Sequence, residues 1–145
     1  MRKPIGTQRA SCETNRRRRM DYELVKFVAW IDGDPMDRWL IDEVKGLTFS
    51  EYAEFALVTT DEGRYVLVKG GRKGILFELD GDGHMLVGTP LGNNRVAALV
   101  WHTHPFPTGP SDHDRGVLRL LGQEESIVFE INGDQEGTRV RSRKP

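Results

Sequence analysis

The chain has 145 residues, 37% of them apolar and 30% charged, with 21 Lys and Arg against 22 Asp and Glu for a formal net charge of −1. That length suits one domain with one modest core, and the even charge balance gives no global attraction to nucleic acid. No apolar run approaches the roughly 18 to 20 residues of a membrane span.

Residues 1–20 are polar, carry the run Arg16 to Arg19 and lack periodic apolar positions. They read as a flexible basic arm. No apolar stretch follows these charges, so a secretory signal is not expected and a cytoplasmic location is. Cys12 is the single cysteine, which excludes an internal disulfide or a multi-thiolate zinc site; any metal must be held by His and carboxylate. Leu24, Val25, Phe27, Val28, Trp30 and Ile31 form a strand or one buried helix edge, stopped by Asp32-Gly33-Asp34-Pro35. From Pro35, the residues Met36, Trp39, Leu40, Ile41, Val44 and Leu47 recur near helical spacing, which predicts a helix over about 35–46 ending at Gly46.

The period then changes. Phe55, Leu57 and Val58, then Asp61-Glu62-Gly63, then Tyr65 to Val68 read as strand, turn, strand. A second hairpin is expected from Ile75 to Leu79 and Met85 to Val87 around Asp80-Gly81-Asp82-Gly83. Those two Asp suggest a calcium loop, but Leu91 stands where its last carboxylate is required, so a turn is the reading. Val96 to Trp101 is a continuous apolar run of strand length, expected to be buried on both faces. His102-Thr103-His104-Pro105, a Pro/Gly loop and Ser111-Asp112-His113-Asp114 follow it. Val117, Leu118, Leu120 and Leu121 give a short helix ending at Gly122; Ser126 to Ile131 and Thr138 to Arg141 give two more strands, and Arg139, Arg141, Arg143 and Lys144 a basic C-terminus. The sum is an α+β fold with a central mixed sheet flanked by helices.

Two His at i and i+2 at the end of a buried strand point the same way and can share one ion. A carboxylate in the first turn of the next helix closes such a set, and Asp114 stands there, with Ser111 as the N-cap three residues earlier. Either half alone is weak evidence, because Ser-x-x-Asp is a common helix start. Together, with three of the four His within residues 102 to 113, they point to a metal centre.

His102-Thr103-His104-Pro105, a spacer, and Ser111-Asp112-His113-Asp114 resemble the signature of the JAMM (JAB1/MPN/Mov34) metalloproteases. The resemblance covers about Phe49 to Arg141, so residues 21–145 read as a JAB/MPN-like metallohydrolase domain. It implies one zinc on His102, His104 and Asp114, with Ser111 supporting the tetrahedral intermediate. An upstream Glu is implied as general acid/base: Glu54, which precedes an apolar run, is preferred to Glu51, which is expected at the helix end. His113 fills a variable position, facing solvent or supporting a ligand. The spacer before Ser111 is about one residue shorter than in the family, and Leu57 replaces a small residue. The implied activity is that of a peptidase or isopeptidase on a peptide or ubiquitin-like protein, in a small member of prokaryotic or phage type rather than a chain-specific deubiquitinase. An inactive MPN-like scaffold is the alternative. Barrel hydrolases that use His-x-His need roughly 200 residues or more. A third reading is a nucleic-acid binder working through the arginine arm, which predicts salt-dependent affinity and indifference to chelators; the oligomeric state is left open.

Overall fold

A computed structural model describes residues 21–143; the basic arm with Cys12, and Lys144, lie outside the described residues. Ten strands and two helices follow in the order β1 (Tyr22–Leu24), β2 (Lys26–Ile31), α1 (Arg38–Glu51), β3 (Phe55–Thr60), β4 (Tyr65–Lys69), β5 (Gly74–Leu76), β6 (Glu78–Leu79), β7 (Met85–Thr89), β8 (Gly92–His104), α2 (Asp112–Leu121), β9 (Glu125–Glu130) and β10 (Thr138–Arg141). The main sheet runs β10-β9-β8-β3-β4-β2, and β7, with β6 beyond it, pairs with the start of β8. Only β8 and β9 are parallel within it. Among the described residues the fold is therefore α+β with a mixed sheet and two helices, as expected. No helix among the described residues is long and apolar enough to cross a membrane.

Each sheet face has its own core. Ile41 and Val44 of α1 pack with Phe55, Leu57, Trp101 and Phe129. Leu118 of α2 packs on the other face with Ala56, Val58, Leu99, Val128 and Val140. Alternation along β3 sends odd residues to α1 and even residues to α2. On β8 this parity breaks. Trp101 and Thr103 share the α1 side, yet Leu99 belongs to the α2 core, because the register slips by one between Leu57↔Trp101 and Val58↔Leu99. That bulge lets an apolar run feed both cores and then present His102 and His104 together on the α2 face.

Several boundaries differ from expectation. Pro35 sits in a turn rather than in a helix: Asp34 accepts from the amides of Met36 and Asp37. Helix α1 therefore begins at Arg38. It runs past Gly46, which is exposed, because the stripe Ile41, Val44 and Thr48 is completed only one turn later. Tyr52 ends it in the left-handed conformation, φ 55°. Met36 and Trp39 are exposed and belong to neither core. The expected strand Ile75 to Leu79 is split: β5 pairs in parallel with β1, and only β6 forms the hairpin with β7. Along the run Val96 to Trp101, Ala97 is exposed, so burial on both faces holds only toward its C-terminal end.

Candidate metal centre

Strand β8 ends in the sheet interior, flanked by β3 and β9. Ala56 stands opposite His102, and continuing that antiparallel register sets Glu54 opposite His104 on the same face. Leu57, one residue on, faces the α1 core and does not touch this cluster. The small Ala56 leaves space beside His102.

Asp114 arrives from the other side on α2. Its helix start is a complete capping box: the Ser111 hydroxyl accepts from the Asp114 amide at 3.1 Å, and Asp114 Oδ2 accepts from the Ser111 amide at 2.9 Å. The box fixes the carboxylate so that each oxygen meets one imidazole. Asp114 Oδ1 lies 3.2 Å from His102 Nε2, and Oδ2 lies 3.3 Å from His104 Nε2. The two Nε2 atoms are 3.1 Å apart, and Glu54 Oε2 is 3.4 Å from His104 Nε2. All four residues are buried.

Four groups rich in lone pairs converge here, and hydrogen bonds alone satisfy them poorly. His102 and His104 turn Nε2 toward each other, while both Nδ1 atoms are buried without a hydrogen-bond partner among the described residues. A tetrahedral ion with bonds of about 2.0–2.1 Å separates its ligand atoms by about 3.3–3.4 Å. The spacings of 3.1 to 3.4 Å match that figure. The donor set therefore fits a metal ion, with Glu54, His102, His104 and Asp114 able to hold it. Imidazole and carboxylate donors suit zinc and several neighbouring divalent ions, so the donors alone do not select the element.

The electrostatics point the same way. Burial, reinforced by the Asp114 charge, raises the Glu54 carboxyl well above its ordinary range. Burial pulls Asp114 up as well, but hydrogen bonds and charge from His102 and His104 outweigh it and hold this carboxyl well below the usual range. Burial lowers His102 despite the hydrogen bond to Asp114. Desolvation thus holds Glu54 away from its charged form, a cost that a bound cation would offset, and holds His102 in the neutral form that metal ligation requires.

Beside the cluster is a cavity of about 20 Å³, lined by Glu54, His102 and Asp114 with Ile75, Leu99 and Val117 among its apolar walls. That volume admits one water. His113 also lines it, with Nε2 3.0 Å from the Ile75 carbonyl and its ring edge-on to Tyr22 at 5.7 Å; it is half-buried rather than solvent-facing. Glu51 lies at the end of α1 and pairs with Lys69 at 2.5 Å, outside the cluster.

Thr48 and Thr103 are the supporting residues that sequence reasoning missed. Thr103, between the two His but on the opposite face, accepts from the Phe55 amide at 3.1 Å and meets the Thr48 hydroxyl at 2.5 Å, both groups being buried. This bond ties α1, β3 and β8 together one residue from Glu54. A buried Thr between two ligand-type His was the available signal. No family model, curated protein or solved structure matches the chain.

Proposed function

We propose that the chain is a zinc-dependent peptidase or isopeptidase of JAMM type, cleaving a peptide or a ubiquitin-like protein. The observation that carries this reading is the convergence of His102, His104 and Asp114 within 3.1 to 3.3 Å of one another, with Glu54 beside a cavity of one-water size. A closed structural metal site has no use for such a cavity, whereas a hydrolytic one requires it.

Zinc held by His102, His104 and Asp114 supplies Lewis acidity and lowers the pKa of water to about 7. Glu54 takes a proton from the attacking water and returns it to the leaving amine. Burial raises its pKa above the ordinary carboxyl range, which favours the return of the proton. The Ser111 hydroxyl accepts from the Asp114 amide and so keeps its own proton free to donate to the developing oxyanion. Ile75, Phe77, Leu99 and Val117 keep bulk water away from the reacting groups.

The test is metal content of the purified protein, wild type against His104→Ala, followed by peptide and isopeptide substrates with Glu54→Gln as the inactive control. About one zinc per chain, lost in His104→Ala, with hydrolysis lost in Glu54→Gln, is the expected result. Protein that neither contains nor takes up zinc would end the hydrolase reading in favour of a scaffold.

A further inference from the structure

The β10 edge of the sheet carries a charged assembly that the proposed hydrolysis does not use. Arg115 and Arg119 of α2, Arg139 and Arg141 of β10, and Arg143 beyond it line one groove of about 890 Å³ together with Glu124. Nearby carboxylates offset this charge only in part. Glu125 pairs with Arg139 at 2.6 Å and stands 3.9 Å from Arg141, while Asp112 lies 3.5 Å from Arg115. Five guanidinium groups therefore face three carboxylates. Arg115 Nε is buried and has no hydrogen-bond partner among the described residues, a donor that costs free energy until an acceptor reaches it.

Charges on an edge strand commonly discourage unwanted strand pairing. That role accounts for Arg139 and Arg141, which are exposed on β10 at the end of the strand order. It does not account for Arg115 and Arg119 of a helix opening on the same groove, where Arg119 also donates to the Ser142 carbonyl at 2.6 Å. Guanidinium forks at several heights suit a row of carboxylates or phosphates. Two features decide between them. The groove lining has no aromatic side chain, so the base stacking on which single-strand nucleic-acid binding relies is lacking. Beside it runs β10, which pairs only with β9 among the described residues, and such an edge accepts an extended peptide as a further strand.

We propose that this groove docks an acidic, extended peptide segment of a protein partner, which adds along β10 so that its alternating carboxylates meet Arg139 and Arg141 on one face and the arginines of α2 on the other. The groove shares no lining residue with the cavity at the metal cluster. It therefore stands or falls apart from the hydrolase reading.

The experiment uses the full chain and fluorescence anisotropy at low ionic strength. The probes are a labelled octaglutamate, the same peptide N-methylated throughout, and a thymidine oligonucleotide of equal charge. Octaglutamate is expected to bind saturably, to weaken as salt is added, and to bind His104→Ala as well as wild type. Arg139→Gln combined with Arg141→Gln is expected to weaken it about tenfold, and N-methylation to do so at least as strongly. Arg119→Gln lies on a different element and shifts affinity in the same direction, which keeps the test valid if the edge-strand variant fails to fold. Absence of saturable binding, or equal binding by the variants, would overturn the site. Tighter binding of the oligonucleotide than of octaglutamate would overturn the peptide assignment, and indifference to N-methylation would overturn strand addition.

Discussion

Two groups of carboxylates and imidazoles among the described residues bring their donor atoms close enough to share an ion: Glu54, His102, His104 and Asp114 at the end of β8, and Asp80, Asp82 and His84 in the β6–β7 turn. Composition hardly separates them, but local bonding does. In the turn, Asp80 Oδ1 accepts from the amides of Asp82 and His84, both at 2.9 Å, and Oδ2 pairs with Arg95 at 3.1 Å. Those carboxylate oxygens already have donors, and water supplies the rest. In the buried cluster the donor atoms face one another, out of reach of bulk water. A metal site is thus marked less by the count of ligand residues than by lone pairs that the fold leaves unmatched.

The largest expected effect divides the two groups by metal. Asp114→Ala should weaken zinc binding by more than about 100-fold, a loss that even an outer partner of a ligand can bring. Asp80→Ala combined with Asp82→Ala should leave the zinc content at wild-type level. Competition with a chromophoric chelator reads both. If the double variant lost its zinc, the argument from bonding would be wrong and the ion would belong to the turn.

Next is Glu54→Gln. If Glu54 is the general acid/base proposed above, its removal costs about 10²–10⁴-fold in rate, while His102, His104 and Asp114 should keep the zinc. Loss of both zinc and turnover would instead make Glu54 a fourth ligand, consistent with its 3.4 Å approach to His104, and would turn the centre into a closed structural site.

A smaller effect appears in the pH dependence of the metal-free protein. Burial lowers the folded-state pKa of His102 below its ordinary 6.5. Below that pH the unfolded chain binds more protons than the folded one, so this contribution to stability is present above 6.5 and is lost as the pH falls. Glu54 acts in the opposite sense. Its folded-state pKa is raised above 4.5, the folded state holds the extra proton, and stability declines as the pH climbs past 4.5. The two slopes oppose each other in the window between the ordinary carboxyl and imidazole values, 4.5 and 6.5. Metal-free Glu54→Gln removes one of them, so urea denaturation should show its stability rising with pH across that window more steeply than that of wild type. Equal slopes would mean that Glu54 is less buried than its position at 3% exposure indicates.

Much of the centre was legible in the residues. Strand alternation puts His102 and His104 on one face, and Ser-x-x-Asp before Val117 and Leu118 reads as a helix start. Both rules are local, and local rules survive folding. Two features escaped because they depend on pairing across the sheet. The slip opposite Leu57 and Val58 appears only when β3 meets β8, and the Thr48–Thr103 bond joins residues 55 apart in the chain. The start of α1 was misplaced for a third reason. Pro35 suits a first helical turn as well as it suits a β-turn, and the Asp34 side chain decided between them.

The smallest effect belongs to the exposed turn. Its order rests on Asp80, whose carboxylate caps two amides and holds Arg95. Backbone hydrogen bonds, with that of His84 the largest, lower its pKa below the usual 3.8. The resulting stability is present above pH 3.8 and is lost as the pH falls through the depressed value. Asp80→Asn keeps an acceptor for both amides and gives up only the charge, which solvent screens at this surface. Asp80→Ala gives up the acceptor as well. Asn should therefore leave the thermal midpoint almost unchanged at pH 7, whereas Ala should lower it by a few degrees, with zinc content unaltered in both. A loss in Asn as large as in Ala would show that charge, not turn geometry, is what Asp80 contributes. The turn would then resemble the buried cluster more closely than its hydrogen bonds suggest.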